Sequence, residues 1–189
     1  MKYLHHHSFR TALFIAIIFI FSCDQPLFLS ENVVSIKQNW VFFPRFRTEF
    51  SHIPIHKNVE KNYHFKGIPT REYTFKFELQ LSDGRRKIKW QEVNNEIWGV
   101  LTKANIEVSF ELFSNGEKIK SIGLRPFLKS WTFATLGDIS YFWNRELNDL
   151  LLHRKDEYRI DIALKINGET PTNLKLVPVI EGGGLVIDL

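Results

Sequence analysis

The chain has 189 residues, with 25 Lys and Arg against 21 Asp and Glu, a formal net charge of +4 and one cysteine. A single cysteine excludes a disulfide framework, and so small a basic excess lacks the electrostatic footprint of a nucleic-acid-binding domain. The length suits one domain with its own core, and no internal repeat, low-complexity tract or composition break marks a second.

The first segment, Met1–Thr11, carries Lys2 and Arg10 and no acid, and the apolar run Ala12–Phe21 follows, ending at Ser22 and Cys23. Basic start, apolar centre and small-residue end are the three parts of a secretory signal peptide. Crossing a bilayer takes about 20 apolar residues. This run is about half as long, which fits a signal core rather than a permanent span.

The residues Ile20-Phe21-Ser22-Cys23 resemble the lipobox of bacterial lipoproteins. Ile20, Ser22 and Cys23 match its pattern, and Phe21 departs from it, standing where a small or β-branched residue is usual. The resemblance implies that the chain is cut before Cys23, that the Cys23 thiol becomes a thioether to diacylglycerol, and that the new amino group is acylated, with palmitate the typical chain. Each buried methylene adds about 0.8 kcal/mol, so two or three chains hold a protein on a membrane stably. Asp24 resembles the inner-membrane retention signal of enteric lipoproteins, which implies a periplasm-facing place on the inner membrane of the cell envelope. His5, His6 and His7 would leave with the signal.

The expected organisation is therefore a signal peptide over 1–22, a lipidated tether over 23–32 and a domain over 33–189. Losing Lys2 and Arg10 with the signal lowers the formal charge from +4 to +2.

Within the domain the dominant period is two. A strand is expected over Ile36–Phe43. Next, Tyr73, Phe75, Phe77, Leu79 and Leu81 alternate with Thr74, Lys76, Glu78 and Gln80, the pattern of a strand with one wet face. Ile106, Val108, Phe110 and Leu112 repeat it, as do Tyr158, Ile160, Ile162, Leu164 and Ile166. Asp83-Gly84, Asn115-Gly116 and Asn167-Gly168 follow these three strands and supply the positive φ of tight hairpins. Asn115-Gly116 should lead into a strand over Lys118–Gly123. Further strands are expected at Trp131–Thr135, Leu174–Ile180 and Leu185–Leu189. One helix is expected over Trp143–His153, where Leu147, Leu150 and Leu151 share a face. Seven or eight strands at this spacing predict an all-β fold, an antiparallel β-sandwich of the immunoglobulin or fibronectin type with one short helix. Tyr158, at the head of a strand behind a leucine-rich connection, is either a tyrosine corner bonded back to the preceding turn or one more inward aromatic.

Candidate sites are few. His52, His56 and His64 are of the type that binds zinc, but Pro54 bars a helix, and in a strand His52 and His56 would lie about 13 Å apart. Surface histidines are the expectation, with no metal and no cofactor. The chain lacks a Gly-x-Ser-x-Gly elbow. Glu78, Glu107, Glu111 and Asp161 alternate with apolar residues and are expected on solvated faces, so no catalytic residue is assigned and no enzyme is expected. The basic run Arg85, Arg86, Lys87, Lys89 with Trp90 either contacts anionic headgroups or keeps a hairpin edge from pairing. Gly182-Gly183-Gly184 lacks the setting of a phosphate loop and is expected to form a turn or hinge. Five tryptophans (Trp40, Trp90, Trp98, Trp131, Trp143) and seventeen phenylalanines exceed what a small core requires, so an exposed patch with Trp90 and Trp98 foremost is expected to meet a protein partner. By elimination, the expected role is a membrane-anchored binding module. It would be either an immunity-type lipoprotein that plugs a toxic effector or an accessory subunit of an envelope or secretion assembly, and it would bind no nucleic acid.

Overall fold

Alternation of apolar and polar residues decides the structure. The computed structural model describes residues 27–28, 33–39, 45–81, 97–136, 139–169 and 174–182. Cys23, Asp24, Trp40, Asp83, Gly84, Arg85, Arg86, Lys87, Lys89, Trp90, Gly183, Gly184 and the expected strand Leu185–Leu189 lie outside the described residues.

In chain order the strands are β1 (Leu27–Phe28), β2 (Val33–Asn39), β3 (Arg45–Phe50), β4 (Ile53–Pro54), β5 (Val59–Lys66), β6 (Arg71–Leu81) and β7 (Ile106–Ser114). They continue with β8 (Glu117–Pro126), β9 (Thr132–Leu136), β10 (Ile139–Trp143), β11 (Leu150–Leu152), β12 (Glu157–Ile166) and β13 (Leu174–Gly182). Among the described residues two short helices intervene, α1 (Trp98–Ala104) and α2 (Phe127–Ser130).

One sheet has the order β1-β5-β12-β7-β8. The other has the order β2-β3-β13-β6-β10-β9, with β11 on β6 and β4 on β13. The described pairings are antiparallel. The fold is thus the all-β antiparallel sandwich expected, with more strands than the seven or eight anticipated. The additional ones are short, as in β1, β4 and β11, or carry only two or three inward apolar residues, as in β3 and β5.

The inner faces meet through aromatic rings. Phe50 of β3 lies 4.9 Å from Tyr63 and 5.7 Å from Phe65 of β5, and Phe75 of β6 lies 4.6 Å from Phe110 of β7, all between ring centroids. Burying a large side chain contributes about 1.5–3 kcal/mol, so this interleaving joins the two layers. Between them, α2 carries the chain from the β8 edge to the β9 edge and inserts Phe127 and Trp131 into the same core. Pro178 falls where β13 changes partner from β4 at 175–176 to β3 at 179–182, so its missing N–H breaks no bond of those ladders.

The expected helix over Trp143–His153 is not formed. β10 runs through Trp143, a single 3₁₀ turn spans Arg145–Leu147, and β11 pairs with β6. Asn144 stops the strand by accepting the Glu146 N–H on its side-chain oxygen at 2.8 Å, and Asp149 takes a left-handed φ of 53°. The leucines therefore do not share a face: Leu147 is buried, and Leu151 is 56% exposed. Of the two described helices α1 is the longer; it places Leu101 and Ala104 in the core and ends at Asn105 with φ 44°.

Two of the three predicted turns lie within the described residues. Asn115 and Gly116 adopt φ 50° and 87° and join β7 to β8, as their chemistry requires. Asn167-Gly168 forms no hairpin, because β12 and β13 belong to different sheets. A Cβ on Gly168 would lie 1.9 Å from the Lys103 carbonyl oxygen, so the glycine serves close backbone approach instead. Gly182, expected in a turn or hinge, is the last residue of β13, where a Cβ would meet the Tyr73 ring at 2.5 Å.

Candidate functional site

Two features stand out beyond the core: an aromatic apex on α1 and an ion cluster on the outer face of the larger sheet. α1 meets β9 and β10 through Trp98, which touches Phe133 and Phe142. Its Leu101 points inward, and Trp98, one turn before, is left 38% exposed. The indole is no loose surface group. It stacks on Phe142 with 6.5 Å between centroids and 19° between planes, and it meets the edge of Phe133 at 5.9 Å. Phe142 rests in turn on Phe127 at 4.6 Å, and Phe127 on Trp131 at 5.8 Å. The exposed ring thus crowns a stack fixed in the core, and a side chain ordered in advance loses little entropy on contact.

On the other sheet, Arg47 and Glu49 of β3, Lys76 and Glu78 of β6 and Glu181 of β13 converge. The register pairs Glu181 with Arg47 and places Val179 between Lys76 and Glu49. Arg47 bonds Glu78, reaches Glu49 at 3.2 Å and lies 3.9 Å from Glu181, while Lys76 bonds Glu181. Lys76 also sits 4.7 Å above the Tyr141 ring. Burial alone would lower the pKa of the Arg47 guanidinium. Glu78 above all, then Glu181 and Glu49, outweigh burial and leave it above its usual value, so Arg47 stays charged. Burial, reinforced by Glu181, raises the Tyr141 phenol.

Glu78 was expected on a solvated face. It is 5% exposed, and Glu49 is 4% exposed. Val177 and Val179 are buried on this same outer face, apart from the main core. The sheet is therefore covered on both sides over its centre, where a two-residue period had suggested one wet face. Arg47 and Glu49 were not among the sequence candidates, although their alternation with Phe46, Thr48 and Phe50 in Arg45–Phe50 is a strand signal. The cluster's carboxylates are held by cations across three strands, a structural arrangement rather than a free acid–base pair.

The other sequence candidates separate. His52 and His56 are exposed on either side of buried Ile53 and Ile55, and His64 lies on β5. Burial together with Lys175 and Lys61 lowers the His52 pKa. Among the described residues no three His, Cys, Asp or Glu side chains gather as a metal set. Glu111 is bound by Lys118 at 2.6 Å, and Asp161 by Arg159 at 3.1 Å. Trp131 is core, Trp143 is half-buried, and Trp98 alone of the described tryptophans is exposed.

Tyr158 forms a corner. Its hydroxyl accepts the His153 N–H at 2.7 Å and donates to Asp156 at 3.2 Å. Asn115 donates to Asp156 at 2.9 Å and accepts the Glu157 N–H at 3.0 Å. The β7–β8 turn and the β11–β12 loop are thereby locked together. No protein-family model matches the chain, and no curated protein matches it.

Proposed function

We propose that the chain is a bacterial lipoprotein, held on the envelope membrane by lipid on Cys23, whose β-sandwich works by binding another protein. The observation that supports this reading is Trp98, a large aromatic kept exposed on a rigid stack of buried rings. Anchors of this kind dominate interface energies, and Trp leads among them. Among the described residues no helix is long and apolar enough to cross a membrane.

The test has two arms. Cys23→Ser should remove the acyl mass from the mature chain and leave the signal uncut by the lipoprotein peptidase; equal masses in both versions would overturn the anchor. Purification from native membranes in mild detergent should recover one partner in near-stoichiometric amount. Trp98→Ala should weaken that capture by about 2 kcal/mol, roughly 30-fold in Kd, with the β-sheet far-UV spectrum retained. No partner, or a capture indifferent to Trp98, would overturn the binding role. Mass spectrometric identification of the partner distinguishes an incoming toxin, as for an immunity protein, from a subunit of an envelope assembly.

A further inference from the structure

The expected tether is not free along its length. Leu27 pairs with Lys66 and Phe28 with Phe65, so the chain joins the smaller sheet at the C-terminal end of β5. Leu27 is four residues on from Cys23, and an extended chain of four such steps reaches at most about 14 Å. A lipid on Cys23 therefore fixes which end of the sandwich lies against the bilayer.

That end can be traced through the sheet. Lys66 pairs with Glu157 and Tyr158 with Ser114, so the end of β5, the start of β12, the Asn115-Gly116 turn and the start of β8 lie together. The loop over residues 67–70 is tied to the loop over residues 153–156 by the Arg154 N–H donating to the Thr70 hydroxyl at 3.0 Å. The Tyr73 hydroxyl donates to the Pro69 carbonyl at 2.7 Å, and Tyr158 holds His153 as described. Between the loops stand three consecutive exposed residues, His153, Arg154 and Lys155, with Lys66 and Arg71 beside them. The acid of that loop, Asp156, is engaged by Asn115 and Tyr158. Glu72, Glu117 and Glu157 also belong to this end, so the attraction is local to the loop tip rather than spread over a wide basic face.

We propose that the sandwich stands end-on upon anionic lipid headgroups, with the His153–Lys155 tip touching them. This rests on the reading that Cys23 carries the lipid. The opposite end holds the C-terminus of α1, where the carbonyls of Asn105, which follows the helix, and Lys103 accept the Asn167 and Glu169 N–H groups at 3.3 and 3.2 Å. The ten residues of β12 separate the two ends by about 30 Å. The C-terminus of the Trp98 helix thus lies at the end turned away from the membrane, while Trp98 itself rests on Phe142 and Phe133 beside the middle of β6, where a protein partner can reach it.

The experiment uses the mature lipidated chain in vesicles of phosphatidylethanolamine and phosphatidylglycerol. Cys23 is consumed by lipid, so one introduced cysteine can be labelled with a fluorophore, as Glu157→Cys near the bilayer or Lys165→Cys at the far end of the same strand. Headgroup-linked quenchers should quench the label at position 157 several-fold more than the label at position 165. Arg154→Gln with Lys155→Gln, or phosphatidylcholine vesicles, should reduce that difference by half or more. Equal or reversed quenching in a chain shown by mass to be lipidated overturns the orientation alone. A difference untouched by the double substitution and by neutral lipid overturns the headgroup contact. A mature chain lacking acyl mass overturns the anchor reading, and the orientation with it.

Discussion

Arg47→Met tests the ion cluster most directly. Methionine keeps most of the apolar stem, so little cavity forms, and what is lost is the cation that Glu78, Glu49 and Glu181 share. Of the cluster's two cations Lys76 would remain, bonded to Glu181, while Glu78 and Glu49 are buried. Removing one partner of a buried pair costs about 3–5 kcal/mol, because an uncompensated charge stays behind. The Arg47 and Glu78 side chains are 13% and 6% exposed, so solvent screening offers little relief. Against a typical domain stability of about 5–15 kcal/mol, the loss should lower the melting temperature by roughly 6–20 °C. The assay is urea unfolding of a chain beginning at Asp24, followed by tryptophan fluorescence, for Arg47→Met, Glu78→Gln and the double variant. The double variant should be more stable than the sum of the single effects implies, with a coupling of about 1–3 kcal/mol, since the amide no longer needs the cation. A loss below about 1 kcal/mol for Arg47→Met, or strictly additive effects, would show that the cluster is not an energetic unit.

Tyr158→Phe removes the acceptor of the His153 N–H and a donor to Asp156. It should cost about 0.5–1.5 kcal/mol in urea unfolding, as the loss of a partly buried hydrogen bond does, and an unchanged midpoint would refute the corner. Gly168→Ala should destabilise by about 2 kcal/mol or more, because the new Cβ lands on the Lys103 carbonyl. Gly123→Ala meets nothing within 4 Å and should be within about 0.5 kcal/mol of the parent; equal effects of the two would refute the crowding argument. His52 has a folded-state pKa below its unfolded value, so the unfolded chain binds more protons around pH 6. Stability should therefore rise with pH up to about 6.5, the unfolded histidine value. Stability curves against pH for His52→Gln should be flatter there, and unchanged curves would refute the assignment.

The parts of the fold that were legible share one property: their signal is local. The alternation in Tyr73–Leu81, Ile106–Leu112 and Tyr158–Ile166 specifies strands whichever neighbours they acquire, and β6, β7 and β12 form there. Asn115-Gly116 specifies its own backbone angles. The Tyr158 hydroxyl finds a partner five residues upstream, close enough for the segment itself to suggest it. Misreadings arose where a local signal had two outcomes. Leu147, Leu150 and Leu151 fit a helical face, but Asn144 and Asp149 break the chain between them, and pairing with β6 takes the last turn as strand. Trp98–Ala104 offers only Leu101 and Ala104 as inward residues over two turns, too few for a period to show. The Asn167-Gly168 pair reads as a hairpin until its flanking strands prove to lie in different sheets.

The ion cluster lay beyond sequence reasoning for a different reason. A two-residue period reports that the faces of a strand differ in polarity, but not that the polar face is wet. On β6 the apolar set Tyr73, Phe75, Phe77 and Leu79 and the polar set Lys76, Glu78 and Gln80 are both buried. Charges can tolerate such burial only when each meets an opposite charge with suitable geometry. Here the partners come from residues 47 and 49 on one side and residue 181 on the other, brought together by β13 pairing with both β3 and β6. In this order Arg47 of β3 and Lys76 of β6 are set among the carboxylates of Glu49 on β3, Glu78 on β6 and Glu181 on β13. A strand order that moved β3 away from β13 and β6 would leave the Glu78 carboxylate without its guanidinium. The cluster therefore penalises a wrong strand order more than it rewards the right one, the way in which buried ion pairs can contribute specificity. Nothing in the composition of any single strand announces it.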